Sequence, residues 1–339
     1  MTHEFVDIVK QSLINQQKGI KNVLATVVHL EGSSYRKPGV RMLIAEDGSM
    51  VGAVSGGCVE KEVKLRAQTV FSEQKPKVIT YDGRYRLGCE GILYILIEPF
   101  TISEDLIDDL HVALEKRKEF TINAFFTAED EVVGDFGSVL KFSTDKEYTF
   151  NSNIQIDTTS NKQFTQTLKP LTKLLIIGGE HDAVKLTSVA SLLGWQVDVV
   201  TSIKDPKLLA DFPGAASVIA STPETIDLEI DSDTVVVLMT HNYVLDLKYL
   251  LKILDFNPIY IGVLGSTKRR DQLQNDLFHY NEEITEEVIE AIYSPAGLNI
   301  GAVTPVEIAV SIVAEILAVI REKEPYSLRN IKGKIHIQK

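Results

Sequence analysis

The stretch LLIIGGEHDAVKL, residues 174–186, decides the fold of the second half of the chain. Leu174, Leu175, Ile176 and Ile177 form an unbroken apolar run, too short for a helix and without polar alternation, which fits a strand buried on both faces. Gly178-Gly179 ends the run, and helical spacing continues to about residue 193. A strand, a glycine turn and a helix in that order open a βαβ unit. Working outward, strands are expected at 196–201, 217–220, 234–240 and 259–264, with helices at 244–254, 266–278 and 286–292. Strands alternating with helices predict a Rossmann-like, doubly wound parallel sheet over residues 171–322. Its last helix carries its own start signal: Thr304 as N-cap, Pro305 at N1 and Glu307 completing a capping box. It should run to about Ile320, with Ile308, Ile312, Val313 and Ile316 on one face. Residues 323–339 are left as a C-terminal tail.

The first half reads as an α+β domain over residues 1–142, within an α/β chain overall. Helices fit 4–18, 59–70 and 103–118. Strands fit 22–30, 40–45, 77–81 and 92–98, and a hairpin-like pair fits 122–133. Residues 143–170 shift to Ser, Thr, Asn and Gln, so a polar linker or edge strands are expected there, with the domain boundary.

The chain has 339 residues, 35 basic against 47 acidic, for a net charge of −12. That balance argues against nucleic-acid binding. No apolar run of 18 residues suggests a membrane span. The N-terminal MTHEFVDIVKQSL lacks the apolar core of a secretory signal, so a cytoplasmic address is expected. The two cysteines, Cys58 and Cys89, exclude a disulfide scaffold and a four-cysteine zinc site.

Six segments could carry chemistry. In GAVSGGC (52–58), the backbone of Ser55, Gly56 and Gly57 in a glycine-rich loop can approach an anion, and Cys58 at a helix start would be an acidified thiol. The alternative is a small cysteine packed at a helix start. Cys89 in LGCEG (87–91) is also glycine-flanked, which suggests a shared site, a reversible disulfide or a tight turn. Arg36, Lys37 and Arg41 form a cation cluster suited to phosphate or carboxylate, or simply a solvated turn. Gly178-Gly179 stands where a dinucleotide-binding turn would, but Glu180 puts a carboxylate where a pyrophosphate should approach. The next strand also ends Val200-Thr201-Ser202 without the ribose-binding acid, so NAD(P) is disfavoured. His181 and His241 lie at strand ends and could face one crevice or serve as caps. Gly265, Ser266 and Arg269 suit a phosphate at a helix start, or a solvated basic turn.

In order along the chain, GSSYRKPGVRML (32–43), GAVSGGCVEKEV (52–63), LGCEG (87–91), MTHNYVLDL (239–247), YIGVLGSTKRR (260–270) and SPAGLNIGAVTPVEIAVSIVAEI (294–316) resemble the xanthine dehydrogenase accessory factor family, XdhC/CoxI. The resemblance implies an XdhC/CoxI domain followed by a Rossmann-like domain. It implies a chaperone that binds the molybdenum cofactor (molybdopterin) as cargo while a cysteine desulfurase supplies sulfur. The cargo would then enter the large subunit of a xanthine-dehydrogenase-type molybdenum hydroxylase. It also implies a homodimer, and a protein that is not itself the hydroxylase. Cys58 would face the molybdenum or relay sulfur, with Cys89 as second candidate. The chain departs from the family at Glu180 and Glu90, where the family usually has Gly. Rival readings are an NAD(P)-binding Rossmann oxidoreductase and an assembly scaffold without catalysis.

Overall fold

The structure is a computed structural model, and it describes residues 1–32, 34, 37–83, 91–143, 146–280 and 284–331, apart from the Cys58 side chain. The chain divides into two compact units, Met1–Leu171 and Thr172–Lys339.

The first unit opens with helix α1 (Thr2–Gln17) and strands β1 (Asn22–Glu31), β2 (Arg41–Ala45) and β3 (Met50–Gly52). Helix α2 (Cys58–Glu73), strands β4 (Lys77–Asp82) and β5 (Ile92–Pro99), and helix α3 (Glu104–Glu115) follow. Strands β6 (Phe120–Phe126), β7 (Val132–Val133), β8 (Gly137–Phe142), β9 (Glu147–Thr149) and β10 (Lys162–Leu168) complete it. Among the described residues these strands form two sheets, ordered β3-β2-β1-β5-β4-β7 and β10-β6-β8-β9.

Alternation along β1 sorts the core. Val23, Ala25 and Val27 pack with Val59, Val63, Ala67 and Val70 of α2. Leu24 packs the other way, with Phe5 of α1, Leu106 of α3 and Phe120 and Ile122 of the second sheet. The polar stretch after residue 142 supplies β9 and β10, both paired into that second sheet.

The hairpin expected over 122–133 does not form. β6 pairs with β8 and β10, whereas β7 pairs with β4 in the other sheet. Local alternation marks an extended segment but not its partner, and the two residues of β7 are too few to specify one.

The second unit runs β11 (Lys173–Ile177), α4 (His181–Leu192), β12 (Gln196–Ser202), β13 (Ser217–Ser221), β14 (Thr234–Leu238) and α5 (Tyr243–Leu254). It continues with β15 (Tyr260–Val263), α6 (Thr267–Tyr280), α7 (Glu286–Glu290), β16 (Ile292–Tyr293) and α8 (Pro305–Ile320). All pairings are parallel, in the order β13-β12-β11-β14-β15-β16.

The apolar run Leu174–Ile177 lies in β11, buried on both faces as its composition requires. Leu174 and Ile176 pack against α4 and α8. Leu175 and Ile177 pack toward α5 and α6. The doubly wound, Rossmann-type expectation holds. So does the start of α8: the Thr304 hydroxyl accepts from the Glu307 N–H at 3.4 Å, and Glu307 accepts from the Thr304 N–H at 2.8 Å.

Candidate functional site

In a sheet of this order, the strand order reverses between the parallel neighbours β11 and β14, and the crevice beyond their carboxyl ends is where ligands bind. Gly178 leaves β11 there. A Cβ on it would lie 2.4 Å from the Met239 carbonyl oxygen, so only glycine lets the two strand ends close up. Gly178→Ala is therefore expected to destabilise the second unit by about 2 kcal/mol through overpacking. The measure is the unfolding midpoint of Trp195, the chain's single tryptophan.

Gly179 is only in ordinary contact with Thr201. Glu180 is the N-cap of α4, without a side-chain capping bond, and it is exposed. His181, also exposed, is the first residue of α4.

His241 follows β14 with a left-handed φ of 55°, which is uncommon for a residue other than glycine. Its Nε2 lies 3.3 Å from Asp182 Oδ2 in the first turn of α4, so the pair spans the switch point. Next to it, Asp246 of α5 is fully buried. Its Oδ1 accepts from the Thr240 hydroxyl at 2.6 Å and the Thr240 N–H at 3.2 Å. Its Oδ2 accepts from the Arg269 guanidinium. Burial pushes the Asp246 carboxyl above its ordinary range, against the pull of Thr240 and Arg269.

Arg269 also lies over the Tyr243 ring at 5.8 Å, and the Tyr243 hydroxyl donates to Asp276 at 2.5 Å. Burial, then that bond, raises the Tyr243 phenol. Ser266 precedes α6, and its hydroxyl accepts from the Arg269 N–H at 3.3 Å. Gly265 has the Arg269 side chain beside it. Arg270 pairs with Asp271 at 2.8 Å, and Lys268 is exposed. The strand-end residues named from sequence thus gather at one end of the sheet. Arg269 is already tied to a carboxylate.

In the first unit, the glycine loop after β3 wraps around a carboxylate of its own chain. Glu60 accepts from the Ser55 N–H at 2.6 Å, the Ser55 hydroxyl at 2.9 Å and the Gly57 N–H at 2.8 Å. Burial opposes its ionisation, but hydrogen bonds from its own backbone N–H, from Ser55 and from Gly57 outweigh that and hold the carboxyl below its usual range. Among the described residues, nothing lies within 4 Å of a Cβ built on Gly56 or Gly57. Cys58 is the first residue of α2.

Arg41 turns into the interior and donates to the Gly39 carbonyl at 3.0 Å and to Gln166. Lys37 is exposed. Arg36 and Cys89 lie outside the described residues. Among the described residues, no cluster of three or more His, Cys, Asp or Glu side chains could hold a metal ion. No described helix is long and apolar enough to cross a membrane.

Sequence reasoning missed Asp182, Asp246 and Glu60. Glu60 had a readable signal: it stands three residues after Gly57 at a helix start, the spacing of a capping carboxylate.

The XdhC Rossmann domain family matches residues 174–316, and the XdhC and CoxI family matches residues 16–82. A Bacillus subtilis (strain 168) protein, named as a probable subunit of xanthine dehydrogenase, is 31% identical over 314 residues, covering 87% of this chain and 92% of that one. The chain belongs to the XdhC and CoxI family. Among the relatives of this XdhC-family chain is the Escherichia coli (strain K12) molybdenum cofactor insertion chaperone PaoD. It is 27% identical over 305 residues, covering 88% of this chain and 83% of that one. A crystal structure from Bacillus halodurans, described as a xanthine dehydrogenase, matches with a TM-score of 0.75 at 28% identity. That match covers 94% of this chain and 96% of the other.

Proposed function

We propose that this XdhC-family chain binds the molybdenum cofactor as cargo and delivers it to a molybdenum hydroxylase of the xanthine dehydrogenase type. The observation that carries this reading is the match to PaoD, which spans 88% of the chain and both units. In this reading the large subunit of the hydroxylase is the recipient and a cysteine desulfurase sulfurates the cargo. The chain works as a cytoplasmic homodimer.

The cargo is a pterin dithiolene with a phosphate tail and an oxo-molybdenum centre. Each unit is assigned its own candidate groups for such a cargo: in the first, glycine backbone at Gly56 and Gly57 with the cations Arg36 and Lys37, and in the second, the strand-end residues Gly178, Gly179, His181, His241, Gly265, Ser266 and Arg269. Cys58, at the start of α2, is assigned to face the molybdenum or relay sulfur as a persulfide, with Cys89 as second candidate.

The test is reconstitution of the full chain with molybdenum cofactor, followed by molybdenum and pterin analysis. Cys58→Ser is expected to retain the cofactor about tenfold less tightly, the equivalent of roughly 1.4 kcal/mol. Unchanged retention and unchanged hydroxylase activation would remove Cys58 from the mechanism. The β13-β12-β11-β14-β15-β16 order favours one second reading, a nicotinamide enzyme. Tight NAD(P) binding without cofactor retention would establish it. Binding of a hydroxylase subunit with neither ligand would instead leave a scaffold.

A further inference from the structure

We infer that Arg41 is a positioning residue, which sets both glycine-bearing loops of the first unit from inside the core. Arg41 begins β2, opposite Thr26 of β1, and is only 7% exposed. Among the described residues, its Nε and Nη2 are buried without a hydrogen-bond partner, as is Thr26 Oγ1. Burying donors in this way costs stability, and an apolar residue of similar volume would be cheaper at such a place. What the arginine does there is hold backbone.

Its Nη1 donates to the Gly39 carbonyl, just before the chain enters β2, and to Gln166 Oε1 on β10. Gly39 has a φ of 99°, and a Cβ on it would lie 2.4 Å from Gln166 Nε2. The backbone of Arg41 reaches the second loop. A Cβ on Gly52, whose φ is 80°, would lie 2.5 Å from the Arg41 carbonyl oxygen. One residue thus grips the end of the loop bearing Lys37 with its side chain. With its carbonyl it abuts the start of the loop bearing Ser55, Gly56 and Gly57.

Three other elements supply neighbours to the guanidinium. Gln166 ties it to the second sheet, and the Phe5 ring of α1 lies 5.8 Å away. Glu98 of β5, fully buried and held by Ser138 of β8 at 2.6 and 2.8 Å, is the carboxyl whose charge, once ionised, acts on the guanidinium.

The consequence for the cargo rests on the function proposed above; the consequence for the loops does not. The experiment compares the full-length wild type with Gln166→Leu, which removes the partner that orients Arg41, and with Gln166→Glu, which keeps an acceptor in place. In hydrogen exchange by mass spectrometry, Gln166→Leu should speed exchange about tenfold in peptides covering residues 37–42 and 50–57, a loss of roughly 1.4 kcal/mol of local protection. Strands β4 and β5 should exchange as in wild type. Gln166→Glu should restore the slow exchange.

Unchanged loops, equal acceleration throughout the first unit, or failure of Gln166→Glu to rescue would each overturn the assignment. Molybdenum cofactor release is measured on the same proteins and should accelerate with Gln166→Leu. If the wild type fails to bind the cofactor, the proposed function falls while the exchange result still decides the role of Arg41. If Gln166→Leu has loosened loops yet holds the cofactor as wild type does, the loops are not part of the cargo site.

Discussion

Asp246→Ala is expected to destabilise the second unit by about 3 kcal/mol, the scale seen when one partner of a buried ion pair is removed. Asp246 is fully buried and is the shared acceptor for Thr240 and Arg269. Removing it strands the Thr240 hydroxyl and N–H at the end of β14. It also leaves the Arg269 side chain, only 22% exposed and with Nε buried and unpartnered among the described residues, without its counter-charge. Asp246→Asn keeps the acceptor for Thr240 but not the charge, and should cost about half as much. Asp246→Ala with Arg269→Ala should cost less than the sum of the two single changes by about 1 kcal/mol or more, because the second change removes the charge that the first left unpaired. Urea unfolding followed by Trp195 fluorescence measures the four variants against wild type. A loss below about 1 kcal/mol with strictly additive effects would show that the pair carries no weight. Because Thr240 adjoins His241, the same change should also loosen the His241–Asp182 contact at the crevice.

Glu98→Gln is expected to abolish a pH-dependent step in the stability of the first unit. Burial raises the Glu98 carboxyl from an ordinary 4.5 to about 7, against the pull of the Ser138 hydrogen bonds and Arg41. The raised value means that the folded state keeps a proton which the unfolded chain has lost. This group's contribution is therefore full below pH 4.5 and disappears as the pH rises through 7. At about 1.36 kcal/mol per pH unit of separation, wild type should lose about 3 kcal/mol more than Glu98→Gln between pH 4.5 and pH 8. Trp195 lies in the second unit, so a far-UV circular dichroism transition without a fluorescence counterpart reports the first. Parallel stability–pH curves for the two proteins would refute the buried, protonated carboxyl.

Much of the site was legible as position rather than as contact. Gly178, His181, His241 and Ser266 fall at strand ends in the sequence because β11, β14 and β15 announce themselves as apolar runs ended by small or polar residues. What each side chain does there was not legible. Arg269 read as a phosphate ligand, yet its partner is a carboxylate 23 residues earlier. Ser55 and Gly57 read as an anion cradle, and the anion they hold in this structure is Glu60. The cluster of Arg36, Lys37 and Arg41 read as one clamp, but adjacency in sequence does not fix direction. Arg41 points inward from β2, while Lys37 lies exposed in the loop.

By itself, the sequence determined the βαβ alternation of the second unit, the start of α8 and the family. Apolar period, turn residues and capping chemistry are all local properties. Tertiary structure decided which strands share a sheet, where β7 and the two residues of β16 pair, and which charges meet. Those outcomes depend on partners far along the chain, such as Gln166 for Arg41 across 125 residues. No local period encodes such a pairing. It is selected when buried donors find acceptors as the sheets close on one another.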